Sequence, residues 1–418
     1  MGARETCTNR LGATLLLVVF AGLEASAGLL DHLPLPHPAT GSVVSVPSHL
    51  LPQPHPLEGV YATNTVLRDA VRLFEGQIEG AETISFAADG SMMLMDKWGA
   101  AHWATKGKSG QYELRPGAAR ISPGRPLGHV FDKKGNLIFA DAVKGIFMLK
   151  KGETSATLLT DSVSDDSPIT PGSPFTYADD LDIGPDGVIY FTAASDITPV
   201  PHKEGYIDTL DACILTMLKG DPSGRLLSYD PATKKTHALV EGLWFPNGVA
   251  VAPDGSYVLF TETAPMRVQR HWLTGPQKGT TDTLVGNLPG FPDGMSAGSD
   301  GTFWVALVVP NTPLTKLFPF RLPRFLLAWL PKWAWPPEKH WGAVLQVSPK
   351  GEVLRILMDP DGSHISHVSA VTEHDGKLFF GNLAKNYVSY LDLALTPPVG
   401  KSKASAAPLT GRGGHSEL

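Results

Sequence analysis

A polar turn followed by a short apolar segment recurs six times along the chain. Each turn ends in glycine, and the residues after it are rich in β-branched and aromatic types. The turn glycines are Gly90, Gly135, Gly187, Gly255, Gly301 and Gly376. A strand-like stretch also precedes each turn, and glycine permits the positive φ that tight hairpin turns require. Each copy therefore predicts a β-hairpin.

A second hairpin follows most of the first ones, for example residues 224–229 with 236–240. Four strands in each of six units predict an all-β fold, a six-bladed β-propeller. The last unit lacks a good fourth strand, and residues 67–75 resemble one. We therefore expect an N-terminal strand to close the ring, which removes an exposed sheet edge. A pair of β-sandwiches is a poorer alternative, because six similarly ordered hairpins do not divide into two Greek keys.

The two ends of the chain differ in composition from the repeats. Residues 1–27 predict a signal peptide or a signal anchor, since Arg4 and Arg10 precede the apolar run 11–23. A proline-rich extended segment is expected over 28–57, the propeller over 58–395 and a disordered tail over 396–418. The chain ends His-Ser-Glu-Leu, which is similar to retention signals of the endoplasmic reticulum. We expect the secretory pathway, in the reticulum lumen or endomembranes, with secretion as the alternative.

Charge and cysteine content argue against a nucleic-acid-binding protein and against a disulfide-bonded one. The formal net charge is -6 with no long basic run, so a nucleic-acid partner is not expected. The cysteines are Cys7, within the predicted leader, and Cys213. The mature protein is therefore expected to lack an intrachain disulfide.

Polar residues stand just ahead of four predicted inner strands, where a propeller converges on its central channel. They are Glu82, Asp179, Asn247 and Asp293. Buried carboxylates that meet on one axis repel each other unless a cation neutralises them. Oxygen donors alone suit a hard ion, Ca²⁺ before Mg²⁺. The alternative is that each residue only forms a local turn, and we expect one of the pair Asp179 and Asp180 to be structural.

At these residues the sequence resembles the strictosidine synthase-like family, closest to its branch of adipocyte plasma membrane-associated proteins. The similarity covers about residues 58–392. Its motifs include Gly124-Arg125-Pro126-Leu127-Gly128, Phe245-Pro246-Asn247-Gly248-Val249 and Glu373-His374-Asp375-Gly376. The resemblance implies a six-bladed propeller related to calcium-dependent lactonases and arylesterases, with hydrolase activity on small esters.

The chain departs from the family pattern at three places that bear on chemistry. The alkaloid-forming synthases have a catalytic Glu four residues before the Glu-His-Asp-Gly motif, and Ser369 stands there. Without that acid, strictosidine-type condensation is disfavoured. Asp179 replaces the family's usual Asn, and Gly294 replaces a second Asn. No general base is identified, although His364 and His367 lie close to the sixth inner strand.

An apolar insertion over residues 314–341 interrupts the fifth unit. It mixes Trp and Phe with Lys and Arg, which favours a peripheral contact with a membrane surface. A lid over one mouth of the ring is an equal alternative. Prolines at 319, 323 and 331 are expected to break any regular helix that could cross a bilayer.

Two functions remain open from the sequence. The first is a calcium-dependent hydrolase of a small ester or lactone. The second is a non-catalytic, metal-stabilised propeller that binds a partner or membrane lipid. An enzyme needs an open coordination position on the ion, whereas a structural ion is fully ligated.

Overall fold

The computed structural model describes residues 30–36, 41–335 and 339–396 of the protein. The predicted leader and most of the predicted tail, including the last four residues, lie outside these ranges. Short 3₁₀ segments mark the N-terminal part and the end of the described chain. They are Leu30–His32, Ser48–Leu50, Gly59–Tyr61, Val66–Asp69 and Leu393–Leu395.

Six antiparallel sheets of four or five strands form the blades of a propeller, numbered here in the chain order of their inner strands. Blade 1 comprises Ile84–Phe86, Met92–Met95, Ala100–Lys106, Tyr112–Leu114 and the short Ala119–Arg120. Blade 2 comprises Pro126–Phe131, Leu137–Asp141, Gly145–Leu149 and Thr157–Thr160. Blade 3 comprises Ala178–Ile183, Ile189–Ala193, Gly224–Asp230 and Lys235–Leu243.

The other three blades follow the same order. Blade 4 comprises Pro246–Val251, Tyr257–Glu262, Arg267–Trp272 and Thr281–Val285. Blade 5 comprises Gly290–Ala297, Phe303–Pro310, Gly342–Val347 and Val353–Asp359. Blade 6 comprises Val368–His374, Lys377–Asn382, Val388–Asp392 and Val71–Leu73. The six-bladed all-β architecture expected from the repeats is confirmed.

Blade 6 takes its outer strand from the N-terminal side of the ring. Val71 pairs with Tyr390 and Leu73 pairs with Val388, antiparallel. This strand is shorter than the stretch 67–75 that the sequence suggested, because Val66–Asp69 forms a 3₁₀ turn. The last blade thereby has the same four strands as the others.

The core lies between neighbouring blades. The second strand of each blade has a sheet neighbour on either side and a packed blade on either face, so it is buried along its whole length in blades 1 to 4. Continuous apolar runs are what such doubly covered strands require. The tight stacking fixes the inner strands around the channel.

Two insertions each connect the second and third strands of a blade, and antiparallel order brings them to the end where the inner strands begin. In blade 3 the insertion holds the hairpin Val200–Pro201 with Ile207–Asp208, then helix α1, Thr209–Lys219. In blade 5 it holds Pro313–Leu317, helix α2, Arg321–Trp329, and Lys332–Ala334. Within the described ranges, no helix is long and apolar enough to cross a membrane.

Neither helix was predicted from the sequence. Asp208 caps the start of helix α1, where its side chain accepts the Asp211 amide at 3.2 Å, and the helix ends before Gly220, whose φ is +72°. These are ordinary helix boundary residues. The expectation that the prolines prevent a bilayer-spanning helix holds for the described residues, and the short helix α2 accommodates Pro323 because it lies in the first turn. There the missing N–H has no intrahelical acceptor to lose.

Candidate functional site

The inner strands of blades 2 to 6 share one irregularity in their ladders. In blade 3, Ala178 pairs with Ala193, and pairing resumes three residues later at Leu181 with Phe191. The same shift lies between Pro126 and His129, Pro246 and Val249, Pro292 and Met295, and Val368 and Val371. Such a bulge re-aims side chains at the end of a strand.

The residue two places before each resumed pair defines a channel ring. In blade 1 the equivalent pair is Ile84 with Leu94, which places Glu82 at this position. The ring consists of Glu82, Leu127, Asp179, Asn247, Asp293 and Ser369. All four residues predicted from the sequence therefore occupy one structural position in four blades, with Leu127 and Ser369 in the other two.

The polar ring residues are buried and their charges interact. Glu82, Asp179, Asn247 and Asp293 are between 2% and 6% exposed. Burial, followed by the charges of Asp179 and Asp293, holds the pKa of Glu82 well above its usual range. Burial and then the charge of Asp293 raise the pKa of Asp179 in the same direction. Burial raises the pKa of Asp293 to about 8. Without a neighbouring cation these carboxylates favour their protonated forms.

Two ring oxygens have no hydrogen-bond partner in the described structure. They are Oε2 of Glu82 and Oδ1 of Asn247, and both are inaccessible to solvent. Buried polar oxygens in proteins nearly always have a partner, so these two are free to serve as ligands. Carboxylate and amide oxygens without sulfur or imidazole fit a hard divalent cation.

The carboxylates of the channel ring match calcium in their chemistry but not in their grouping. Among the residues that the structure describes, no three His, Cys, Asp or Glu side chains form a group that could hold a metal ion. Glu82, Asp179 and Asp293 are thus near enough to repel one another but wider apart than a ligand cage. The donor types fit calcium, whereas the described positions of the His, Cys, Asp and Glu side chains do not form a ligand group.

Hydroxyl groups hold the backbone of the ring from the preceding blade. Thr192 Oγ1 of blade 3 donates to the Asn247 carbonyl at 2.7 Å, and Thr261 Oγ1 of blade 4 donates to the Asp293 carbonyl at 2.7 Å. Ser369 Oγ of blade 6 donates to the Glu82 carbonyl at 3.1 Å. These bonds fix the position of each ring residue relative to its neighbour.

Asp180 bonds to backbone amides, whereas Asp179 belongs to the channel ring. Its Oδ1 accepts the Leu181 amide and its Oδ2 accepts the Val249 amide of blade 4, each at 2.9 Å. A carboxylate that joins two inner strands in this way is structural. The expectation that one member of the pair is structural is met by Asp180.

The family departures at 294 and 369 lie side by side. A Cβ atom on Gly294 would lie 2.7 Å from the Ser369 carbonyl oxygen, so the close approach of blades 5 and 6 requires glycine here. Ser369 is a ring residue whose hydroxyl is used to hold Glu82. The channel therefore has no carboxylate at the place where the alkaloid-forming synthases have their acid.

The two histidines near the sixth inner strand lie in different surroundings. His364 lies at the junction with the N-terminal strand, where Nε2 lies 2.7 Å from the Ala70 carbonyl. His367 directly precedes the inner strand of blade 6, is buried, and makes an edge contact with His340 at 5.4 Å between ring centroids. Of the two, His367 is the one next to the ring.

Arg125 is a site residue that the sequence reasoning missed. It precedes the first residue of the inner strand of blade 2 and is 2% exposed. Its Nη2 donates to the Gly80 carbonyl at 3.0 Å, and its charge lowers the pKa of Glu82. The sequence did offer one signal, because Arg125 lies in the family motif over residues 124–128, immediately before a predicted inner strand.

Helix α1 covers part of the channel mouth. Ala212 and Leu215 of α1 pack in one apolar cluster with Leu127, Tyr177 and Phe245 from the starts of blades 2, 3 and 4. The Tyr177 hydroxyl donates to the Thr209 carbonyl at 3.0 Å. Burial, then the charges of Asp293 and Asp179, raises the pKa of the Cys213 thiol on α1. The mouth is therefore roofed directly above the carboxylates.

Helix α2 forms a second layer on this roof. Ala328 belongs to the same apolar cluster, and Arg324 Nη1 donates to the carbonyls of Leu218 and Lys219 at 2.8 and 2.9 Å. The opposite side of the insertion is apolar and exposed. Its exposed residues, the apolar ridge, are Leu326, Trp329, Leu330 and Trp333. The insertion thus combines a lid with an exposed apolar surface.

Comparison with known proteins gives relatives over most of the chain. The family model described as strictosidine synthase matches residues 179–276. An adipocyte plasma membrane-associated protein of Rattus norvegicus is 32% identical over 386 residues, covering 85% of this chain and 96% of the relative. Strictosidine synthase-like protein 3 of Arabidopsis thaliana is 31% identical over 360 residues, covering 78% and 86%. The solved structure of a gluconolactonase from Xanthomonas campestris has the same fold, with a TM-score of 0.52 and 14% identity over 78% of this chain and 89% of the other.

Proposed function

The chain belongs to the strictosidine synthase-like family, and on that premise we propose that it is a calcium-dependent hydrolase of small esters or lactones. One observation carries the proposal. Three buried carboxylates and an amide occupy equivalent positions of four blades, and their charges interact inside one channel. Such a concentration of perturbed acids in a channel is typical of a functional site. We place this activity in the secretory pathway, as the leader predicts.

The choice of substrate class rests on chemistry and on the neighbouring fold. The gluconolactonase that shares the propeller acts, by its name, on a lactone. Lactones and esters both present a carbonyl carbon that water attacks and an acyl carbon–oxygen bond that breaks. The channel holds no carboxylate at Ser369, so the condensation of an amine with an aldehyde is not proposed.

Glu82, Asp179, Asn247 and Asp293 would hold the ion. When bound, calcium would polarise the substrate carbonyl as a Lewis acid. Tyr177 and Phe245 exclude water from one side of the channel, since both are buried beneath α1. Ser369 keeps the backbone of Glu82 in place.

We assign His367 the role of general base. It lies beside the ring at the start of blade 6, and a neutral imidazole can take the proton of the attacking water. Water then adds to the acyl carbon, and the acyl carbon–oxygen bond breaks. The leaving oxygen takes up a proton, giving an alcohol and a carboxylic acid. His340 packs edge-on against the His367 ring.

The His367→Asn variant tests this assignment. We expect hydrolysis of phenyl acetate and of a simple lactone in calcium to slow by roughly 10²-fold or more, because general base catalysis typically contributes that much. The increase in melting temperature on adding calcium should remain. The control is His49→Asn at an exposed position. An unchanged turnover number in His367→Asn would exclude His367 as the base.

A second candidate function is binding to a membrane surface, and the apolar ridge favours it. Trp333 is 87% exposed, and Leu326, Trp329 and Leu330 lie beside it on the same insertion at three- and four-residue spacing. Tryptophan at such a surface suits the lipid interface. The relative from Rattus norvegicus is, by its name, membrane-associated.

The position of the N-terminal segment supports a lipid surface as the partner of the apolar ridge. Arg321 Nη2 contacts Asp31 Oδ1 at 2.5 Å, and Trp329 Nε1 donates to the Pro34 carbonyl at 3.2 Å. The chain that leads from the predicted leader therefore meets the propeller next to the ridge. A leader retained as an anchor would bring the ridge to the same membrane.

Vesicle flotation tests the ridge. We expect the protein without its leader to float with phosphatidylcholine vesicles that contain phosphatidylserine. The double variant Trp329→Ser with Trp333→Ser should lose most of that binding, because both side chains would leave the interface. The control is Leu158→Ser on an outer strand of blade 2, which is similarly exposed. Equal flotation of both variants would exclude the ridge as the docking surface.

A further inference from the structure

The guanidinium group of Arg125 is buried with most of its hydrogen-bonding capacity unused. Arginine has five N–H donors. Nη2 donates to the Gly80 carbonyl, whereas Nε and Nη1 are inaccessible to solvent and have no partner in the described structure. A buried charge without partners is costly, and proteins retain one where it has a role.

The acidic groups near Arg125 do not complete its hydrogen bonds. Glu82 interacts with its charge, but Oε2 of Glu82 is itself without a partner. Asp96 also lies within electrostatic reach. Its Oδ1 accepts the amides of Trp98 and Ala100, each at 2.9 Å, and its Oδ2 contacts His102 Nε2 at 2.8 Å. Asp96 is thus committed to its own turn, and the free N–H groups of Arg125 remain beside the ring.

The backbone that carries Arg125 is held rigidly. Asp141, fully buried in blade 2, accepts the Gly124 amide at 2.7 Å, the Ser122 hydroxyl at 2.5 Å and the Val143 amide at 3.1 Å. A Cβ atom on Gly124 would lie 2.3 Å from Asp141 Oδ1, so this contact requires glycine. Pro126 follows and fixes the entry into the strand. Arg125 is therefore positioned in advance, as a recognition residue needs to be.

We propose that Arg125 binds a carboxylate of the substrate, so that the preferred substrates are esters or lactones of anionic compounds. This inference rests on the proposed function, because it assumes that the protein hydrolyses esters or lactones. The preference for an anionic substrate is argued from Arg125 alone. A guanidinium in a dry site recognises a carboxylate through charge-assisted hydrogen bonds. A singly charged group fits better than a phosphate dianion, because the carboxylates of the ring lie close to Arg125 and repel additional negative charge.

Two matched compounds isolate this contact. Phenyl acetate and 4-acetoxybenzoate differ only in one carboxylate. We expect Arg125→Met to lower kcat/KM for 4-acetoxybenzoate at least tenfold more than it lowers kcat/KM for phenyl acetate, with Arg125→Lys between. Binding of 4-hydroxybenzoate by calorimetry, which needs no turnover, should weaken by the same factor. The control is Arg120→Met, an exposed residue of the preceding strand.

A structural role for Arg125 predicts a different result. Arg125→Met loses one hydrogen bond, to the Gly80 carbonyl, and removes a buried charge, so the melting temperature should stay unchanged or rise. A lower melting temperature, an equal loss on both esters, or unchanged affinity for 4-hydroxybenzoate would overturn the proposal. Arg125-dependent binding without any turnover would support it while contradicting the hydrolase. Turnover of phenyl acetate without preference for the anionic ester would support the hydrolase and contradict the role of Arg125 in specificity.

Discussion

Replacing Glu82 with Gln or Asp293 with Asn should raise the stability of the calcium-free protein and abolish the stabilisation that calcium produces. The ring carboxylates are buried together, and the pKa of Asp293 is raised to about 8. Each unit of such a shift corresponds to about 1.4 kcal/mol. Keeping Asp293 ionised at pH 8 therefore costs on the order of several kcal/mol, which a neutral amide avoids.

Calcium narrows the difference in stability between these proteins. A ligand at about 100 times its dissociation constant stabilises the native state by roughly 2.7 kcal/mol. Wild type should gain this in thermal or urea unfolding, and the Gln and Asn variants should gain little. The matched control is Asp375→Asn at an exposed turn, which should keep the calcium effect. Variants that are less stable without calcium yet keep the full calcium gain would show that the ring is not the binding site.

Arg324→Met should detach the roof of the channel and lower stability there by about 3 kcal/mol or more. Arg324 is 0% exposed and lies where α2, the end of α1 and the N-terminal segment meet. Its hydrogen bonds to the carbonyls of Leu218 and Lys219 satisfy the end of α1, and a third reaches the Val44 carbonyl at 2.6 Å. Each hydrogen bond to a charged group contributes roughly 1.5–3 kcal/mol.

Hydrogen exchange measures this loss by segment. We expect amides of α1 and α2 to exchange faster in Arg324→Met, with the second strands of the blades unaffected at first, because the blades have their own core. Arg120→Met serves as the control at an exposed arginine. Uniform acceleration across all six blades would instead show that the insertions are part of the global folding unit. Unchanged exchange in α1 would exclude the role assigned to Arg324.

The fold was readable from the sequence because its repeat is local. A glycine turn between two apolar segments specifies a hairpin within a few residues, as at Gly187, where φ is +87°. The four ring residues could be found because they recur at one place in that repeat. Asp179 and Asp180 could not be separated by the same reasoning. Their difference depends on the bulge, which directs one side chain to the ring and the other to the Val249 amide.

The missed features depend on contacts between distant parts of the chain. Arg125 stands out only once its Nε and Nη1 are seen to lack partners in the described part of the chain. Helix α1 has recognisable boundary residues at Asp208 and Gly220, but it is short and lies within a connection between strands. Helix α2 was not expected, because the place of Pro323 in a first turn was not apparent from the sequence.

The most direct test of the central claim is the hydrolysis of phenyl acetate and a simple lactone by the purified protein before chelation, after chelation and after calcium is restored, in wild type and in Asp293→Asn. A calcium-dependent hydrolase predicts turnover that is lost on chelation, recovered with calcium and absent from the variant. Turnover that survives both chelation and the substitution would contradict a catalytic ion in the channel ring. No turnover from wild type with calcium bound would contradict hydrolysis of these ester and lactone bonds.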